Sequence, residues 1–334
     1  MPFRSFACLF LVSCLSLPSP GLHAEPADDP LRTITIHIEN DSTRPGSDSY
    51  YTSGERISYV SPTGAVPAPL AALGHALLGE GKKRLGLDLS QNIYTPRHTQ
   101  EVNPPLNDRP YAAVLLGAVT LIQDTDTSRT ALSLGLGVIG PAALGRAVQN
   151  GFHDLIHQPQ ARGWSTQISN QPVVQLYAER TWRLPLGAIA TPLGGVEADV
   201  LPNVTLAAGT FRVHAQTGAQ VRIGQGLNAD FGAPRIRPGP TGTDAYTPDR
   251  PFAWYVFAGV DGQVVAWDET LDGLPFARSR RVKREPVVGE AQFGFAIIAG
   301  NMRLTLMQVL QSSAFRDQTN GLFQYSGAAL SVKF

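Results

Sequence analysis

The sequence predicts an all-β fold, a transmembrane antiparallel β-barrel of about twelve strands with a helix in an extracellular loop. Three observations point there. From residue 211 to residue 224 the chain alternates without a break. Phe211, Val213, Ala215, Thr217, Ala219, Val221 and Ile223 are apolar or small, while Arg212, His214, Gln216, Gly218, Gln220, Arg222 and Gly224 are polar or glycine. A period of two sustained this long is a strand with one apolar and one polar face. A water-soluble sandwich covers that apolar face with a second sheet; a membrane barrel turns it to lipid and keeps the polar face in the lumen. The chain also ends inside such a strand, with Ala328, Leu330, Val332 and Phe334 on one face. Finally, residues 1–24 read as a secretory signal, with Arg4, an apolar core and cleavage after Ala24. Leu11-Val12-Ser13-Cys14 resembles a lipoprotein box, an anchor that a barrel does not need.

Composition narrows the class further. Past the signal no run of eighteen apolar residues occurs, so helical spans are excluded. Both cysteines, Cys8 and Cys14, fall in the signal, which leaves residues 25–334 as one thiol-free barrel without disulfides. The formal net charge of zero argues against a nucleic-acid binder.

The alternation places strands at 32–40, 53–61, 84–94, 111–122, 130–139, 171–184, 187–201, 211–224, 252–267, 282–299, 301–315 and 321–334. Two intervals read as helices. Pro69 to Arg84 opens on proline and closes on glycine and basic residues. Pro141 to Gln158 spaces Leu144, Val148, Phe152, Leu155 and Ile156 along one helical face. With the N-terminus on the periplasmic side, the connections 41–52, 95–110, 140–170, 202–210, 268–281 and 316–320 face outward. The connections 62–83 and 225–251 are then long for periplasmic turns, and the sequence supplies no physical reason for the second. Arg212, His214, Glu197 and Asp199 on lumen faces point to charge pairing inside a filled wall.

This topology brings two polar groups to one rim. Glu39-Asn40-Asp41-Ser42 ends the first strand and Tyr50-Tyr51-Thr52-Ser53-Gly54 opens the second. Val148-Gln149-Asn150-Gly151-Phe152-His153 lies on the long loop helix. An amide, a carboxylate, a hydroxyl and an imidazole can together activate water, hold a cation and stabilise an oxyanion.

In the order and spacing of its motifs the chain resembles the outer-membrane lipid A 3'-O-deacylases of the LpxR type. The motifs are Asn40-Asp41, Tyr51-Thr52-x-Gly54, Gln91-Asn92-Ile93-Tyr94-Thr95-Pro96 and Asp108-Arg109-Pro110-Tyr111. They continue with Val138-Ile139-Gly140-Pro141 through His153, Gly163-Trp164-x-x-Gln167-Ile168 and Phe257-Ala258-Gly259-Val260. The resemblance implies a monomeric, calcium-dependent esterase that removes an acyl chain from lipid A or lipopolysaccharide at the outer leaflet. It implies His153 as the general base, Asn40 and Thr52 as polar residues beside it, and Asp41 close to the calcium. Three positions depart from the family pattern. Ser42 stands where an acid can follow the Asn-Asp pair, Pro159 stands six residues after the histidine where reference members carry an acid, and Glu101-Val102 stand near an expected basic pair. Arg97, His98, Arg278, Arg280 and Arg281 are the alternative cations for the lipid phosphates.

Other motifs read as ordinary structure. His153 and His157 have zinc-clamp spacing but no glutamate after the first histidine and no third ligand. Gly135-x-Gly137-x-x-Gly140 matches a dinucleotide fingerprint but lies in an antiparallel pattern. Gly163-Trp164-Ser165 lacks the second glycine of a nucleophile elbow. The rival readings are a non-catalytic barrel and a phospholipase-type hydrolase.

Overall fold

The structure, a computed structural model, describes residues 28–41, 48–192, 194–236, 244–319 and 321–334. The expected signal segment and Ser42 lie outside the described residues.

Thirteen strand segments form the wall: β1 (Thr33–Asn40), β2 (Tyr50–Val60), β3 (Lys82–Thr95), β4 (Ala112–Asp124), β5 (Ser128–Ile139), β6 (Gln171–Trp182), β7 (Leu184–Thr191), β8 (Gly194–Gly209), β9 (Arg212–Gln225), β10 (Phe252–Asp268), β11 (Val287–Ala299), β12 (Met302–Ser312) and β13 (Leu322–Lys333). Sequence neighbours pair antiparallel except β6 and β7, which do not pair with each other; both pair with β8, and β1 closes on β13. Segments β6 and β7 are therefore one strand interrupted at Arg183, and the closed barrel has twelve strands.

Two strand boundaries differ from the alternation. The expected strand at 187–201 straddles a turn at Pro192, and the expected outward connection 202–210 is mostly the end of β8. Pro202 looks like a strand terminator because it donates no hydrogen bond. It is tolerated here because β6 pairs only as far as Thr181↔Asn203 and β7 resumes at Leu184↔Val200, so Pro202 lies opposite the Arg183 break. Residues 282–286 are loop, not the start of β11.

The wall is apolar outside and polar inside. On β1, Ile36 and Ile38 are each 52% exposed whereas His37 is fully buried. Leu89, Leu136, Ile223, Phe293 and Leu304 continue the outward apolar belt around the barrel. This face is the lipid contact surface of a membrane barrel.

The polar lumen is filled by the connection between β9 and β10, the loop at 225–251 whose length the sequence did not explain. Asp230 sits fully buried between two arginines, Arg222 Nη1 at 2.6 Å and Arg303 Nη1 at 3.0 Å, and accepts from the Tyr255 hydroxyl at 2.9 Å. Arg222 also donates to Asp199, so wall and plug share one charge network. Asp244 accepts from Arg56 at 2.8 Å and Ser58 at 2.7 Å. Arg235 pairs with Asp261 and Glu290, and the Ile236 N–H donates to Glu39 Oε1 at 2.9 Å. Glu39 is next to last in β1, so the plug climbs from the rim at the termini almost to the far rim. A long connection at that rim is the material that satisfies the lumen's charges.

The other long connection carries α1 (Ala68–Leu78), which lies on the outside of the wall. Gly74 allows that approach, because a Cβ there would sit 2.7 Å from Leu121 Cδ2.

Two outcomes test this arrangement. In planar bilayers the intact protein should pass essentially no ions. Asp230→Ala, which strands Arg222 and Arg303, should cost about 3–5 kcal/mol, read as a lower temperature for the conversion of the folded to the unfolded gel band.

Candidate active site

The far rim, opposite the termini, gathers Asp41, residues 48–49 and the segments 96–111 and 140–170. The last is a 3-10 turn (Pro141–Ala143) followed by α2 (Gly145–Leu155). Leu144 joins the two in a left-handed conformation, φ 62°. The helix is amphipathic in an inverted sense. Leu144, Val148, Phe152, Leu155 and Ile156 are exposed, whereas Gly145, Gln149 and Asn150 are buried. Its polar side packs on the outer surface of the barrel, over β3 and β4. Gly145 makes this possible, because a Cβ there would lie 2.4 Å from that of Ala113 and 2.7 Å from the Trp164 ring. Tyr111 and Trp164 pack beneath with their rings tilted, 4.8 Å between centroids, with Ile93, Ala113, Ala143 and Ala161. Gln91, on the outward face of β3, donates to the Ala143 carbonyl.

His153 lies on the buried side of the last turn, its side chain 12% exposed. Nδ1 is 2.7 Å from the Pro159 carbonyl, which fixes the tautomer with the proton on Nδ1, and Nε2 is 3.2 Å from Asp48 Oδ2. Gln149, one turn earlier, donates to the same carboxylate oxygen at 2.6 Å and accepts from the Trp164 indole at 2.7 Å. Asn150 holds the returning chain with reciprocal bonds to Ala161 N–H at 2.8 Å and its carbonyl at 3.2 Å. The hydrogen bond to Asp48 raises the His153 pKa above the ordinary imidazole value; burial opposes it and the Pro159 carbonyl adds to the rise.

Asp41 is buried and accepts from the Ser49 N–H at 2.7 Å, while its own N–H donates to the Thr52 carbonyl at 3.2 Å. Burial first, then the charge of Asp48, holds its carboxyl well above the usual range. Thr52 is the bulge residue between Tyr51 and Ser53, and its hydroxyl meets that of Thr95 at 2.8 Å. Tyr50 before it has φ 62°, a left-handed backbone that a bulky L residue adopts only under constraint. That bend and the bulge re-aim the strand start, so Tyr51 points into the lumen at Glu39 while Thr52 joins the outer cluster. Asn40 is on the outward face of β1, level with Ser53 on β2.

The structure thus brings His153, Asp41 and Thr52 to one rim, linked through Asp48 and Ser49, with Asn40 at its edge. It adds Asp48, Gln149 and the Pro159 carbonyl, which sequence reading had not assigned. Gln149 had a local signal, since it precedes His153 by four on a helix. Asp48 had none, because its contact is made across the fold. Among the proposed phosphate-binding cations, Arg97 is exposed and donates to Thr319 at 2.7 Å; His98, Arg278 and Arg281 are exposed. Arg280 donates to Thr166 and to the Pro104 and Pro105 carbonyls at 2.9 and 2.6 Å, a strap between loops.

Fold and site together define an outer-membrane β-barrel with a polar cluster held between its outer wall and a lipid-facing loop helix. The family described as outer membrane protein LpxR matches residues 6–334, and the chain belongs to it. Among solved structures it is similar to LpxR from Salmonella typhimurium, at 21% identity and a TM-score of 0.73 over 90% of this chain and 100% of that one. The β domain of the Bordetella autotransporter Brka is similar at 10% identity and TM-score 0.42, over 92% and 100% of the chains. No curated protein matches the chain.

In an imidazole titration followed by NMR, Asp48→Asn should lower the His153 pKa. Gly145→Val should lift α2 off the wall and speed proteolysis between 155 and 162 while the barrel still migrates as folded.

Proposed function

We propose that the protein hydrolyses an ester-linked acyl chain of lipid A in the outer leaflet, as a lipid A 3'-O-deacylase, with His153 as general base. The observation that carries this reading is the inverted helix. Its apolar side faces lipid while its polar side holds an oriented imidazole against the wall, so a base stands at the depth where the esters of a membrane lipid lie.

The Pro159 carbonyl keeps the proton on Nδ1, leaving the Nε2 lone pair to take a proton from water. Asp48 then stabilises the imidazolium by accepting from the newly protonated Nε2, while the Pro159 carbonyl on Nδ1–H has the orienting role. Nε2 faces Asp48 in the resting structure, so water enters by sharing or displacing that contact. Asn40 and the Thr52 hydroxyl supply hydrogen bonds for the ester. After attack, His153 returns its proton to the departing alcohol.

Calcium suits the donor set in one respect. Asp41 and Asp48 repel one another in a buried setting, which a divalent cation relieves. Among the described residues no three acidic, histidine or cysteine side chains converge. Asp41 and Asp48 would hold the ion, with the Asn40 amide and backbone carbonyls completing an oxygen shell. Bound there, it supplies Lewis acidity to an ester carbonyl. Few carboxylates mean weak binding, and activity should depend on calcium between roughly 10⁻⁴ and 10⁻³ M.

The decisive experiment is mass spectrometry of lipid A incubated with the protein. His153→Ala should lose about two to four powers of ten in rate while the barrel folds; near wild-type hydrolysis by this variant excludes the base. Asn40→Ala and Thr52→Ala should be slower than wild type. Since the base works deprotonated and Asp48 raises its pKa, the acid limb of the pH–rate profile should shift to lower pH in Asp48→Asn, with a reduced maximum. A calcium titration after chelation, on wild type and Asp41→Ala, tests the ion; full activity in excess chelator rejects it.

A further inference from the structure

Beside Asn40, on the side away from α2, the outer wall carries a groove of about 490 Å³ that no step above uses. Strand register defines its shape. Asn40 on β1 is level with Ser326 on β13, Ser326 with Gln308 on β12, and Gln308 with Phe293 on β11. One step toward the termini the row is Ile38, Ala328, Leu306 and Phe295; the next is Ile36, Leu330, Leu304 and Ile297. The head of the groove is polar, with the Ser326 hydroxyl donating to Gln308 Oε1 at 2.7 Å. Its floor is small at Ser326 and Ala328, its sides are Ile38, Leu306 and the two phenylalanines, and Leu330 is the next outward residue on β13, just beyond its foot.

A buried amide donor without an acceptor is costly, and Gln308 Nε2 is one, in the row that also holds Asn40. From Ser326 to Leu330 is about 13 Å at ~3.3 Å per residue, a length suited to the first part of an extended fatty chain. Resting on the deacylase reading, we propose that this groove seats the acyl chain whose ester is cleaved. The ester lies at the Asn40–Ser326–Gln308 row, and the chain runs over Ala328 to Leu330. Ala328 and Leu330 then set the preference for chain length.

The test uses Ala328→Phe, which fills the floor, and Leu330→Ala, which opens the wall just beyond the foot. Both side chains face lipid, and heat-modifiable gel migration checks folding. Wild type and variants are given lipid A preparations with short and with long ester-linked chains in mixed micelles, and released fatty acids are quantified. Ala328→Phe should lower the long-to-short ratio of kcat/KM about tenfold or more, and Leu330→Ala should raise it. An unchanged ratio in both variants overturns the groove, assigning it to bulk membrane lipid while leaving the deacylase reading intact. If wild type releases no fatty acid from any preparation, that reading fails by itself. The groove is then decided by native mass spectrometry of long-chain lipid A on His153→Ala. Loss of the retained lipid on adding Ala328→Phe supports the seat, and equal retention overturns it.

Discussion

A strand in a membrane wall offers each side chain two destinations, lumen or lipid, and the organisation of this protein follows from that constraint. Gln91 and Thr95 point away from the lumen, toward the lipid side of the wall. Polar groups there need cover, and the 140–170 connection supplies it by laying α2 and Trp164 over β3 and β4. The cover must be polar below and apolar above, the reverse of a helix on a soluble core. The same reversal puts the imidazole in a sheltered layer between wall and helix, where hydrogen bonds to Asp48 and Pro159 orient it with little competition from water.

The lumen poses the opposite problem. Its faces carry Arg56, Arg222, Arg303, Asp261 and Glu290, charges that repel or go unpaired in an empty tube. The β9–β10 connection resolves this by offering Asp230, Arg235 and Asp244 as partners. Its uppermost described contact, Ile236 with Glu39, lies two residues before Asp41 in the chain. The plug thereby braces β1 just below the rim at which the site is assembled.

Much of the fold was legible because period two is a local property of the chain. The strands, both helices and the inward charges were readable from alternation, helical spacing and proline. The reading failed where a tertiary accident overrode a local signal: Pro202 is tolerated only because Arg183 breaks the facing strand. In the site, His153, Asn40, Asp41 and Thr52 were visible as motifs, and Gln149 lay one helical turn from the histidine. Asp48 and the Pro159 carbonyl were not visible. The first acts across the fold from a loop, and the second contributes a backbone atom that carries no residue signature. Arg280 shows the converse, a basic residue that looked available and is committed to loop carbonyls.

The seam between the first and last strands has a consequence for when this chain becomes competent. Thr35 bonds Ser331 at 2.8 Å across 296 positions of sequence, so the seam forms only after the C-terminal strand has been made and delivered. Asn40 and Ser326 meet only across that seam. A chain whose seam is still open therefore lacks the row of Asn40, Ser326 and Gln308. Biogenesis itself would act as the safety catch for the proposed hydrolysis, because this stretch of outer wall is completed only in the act of closing.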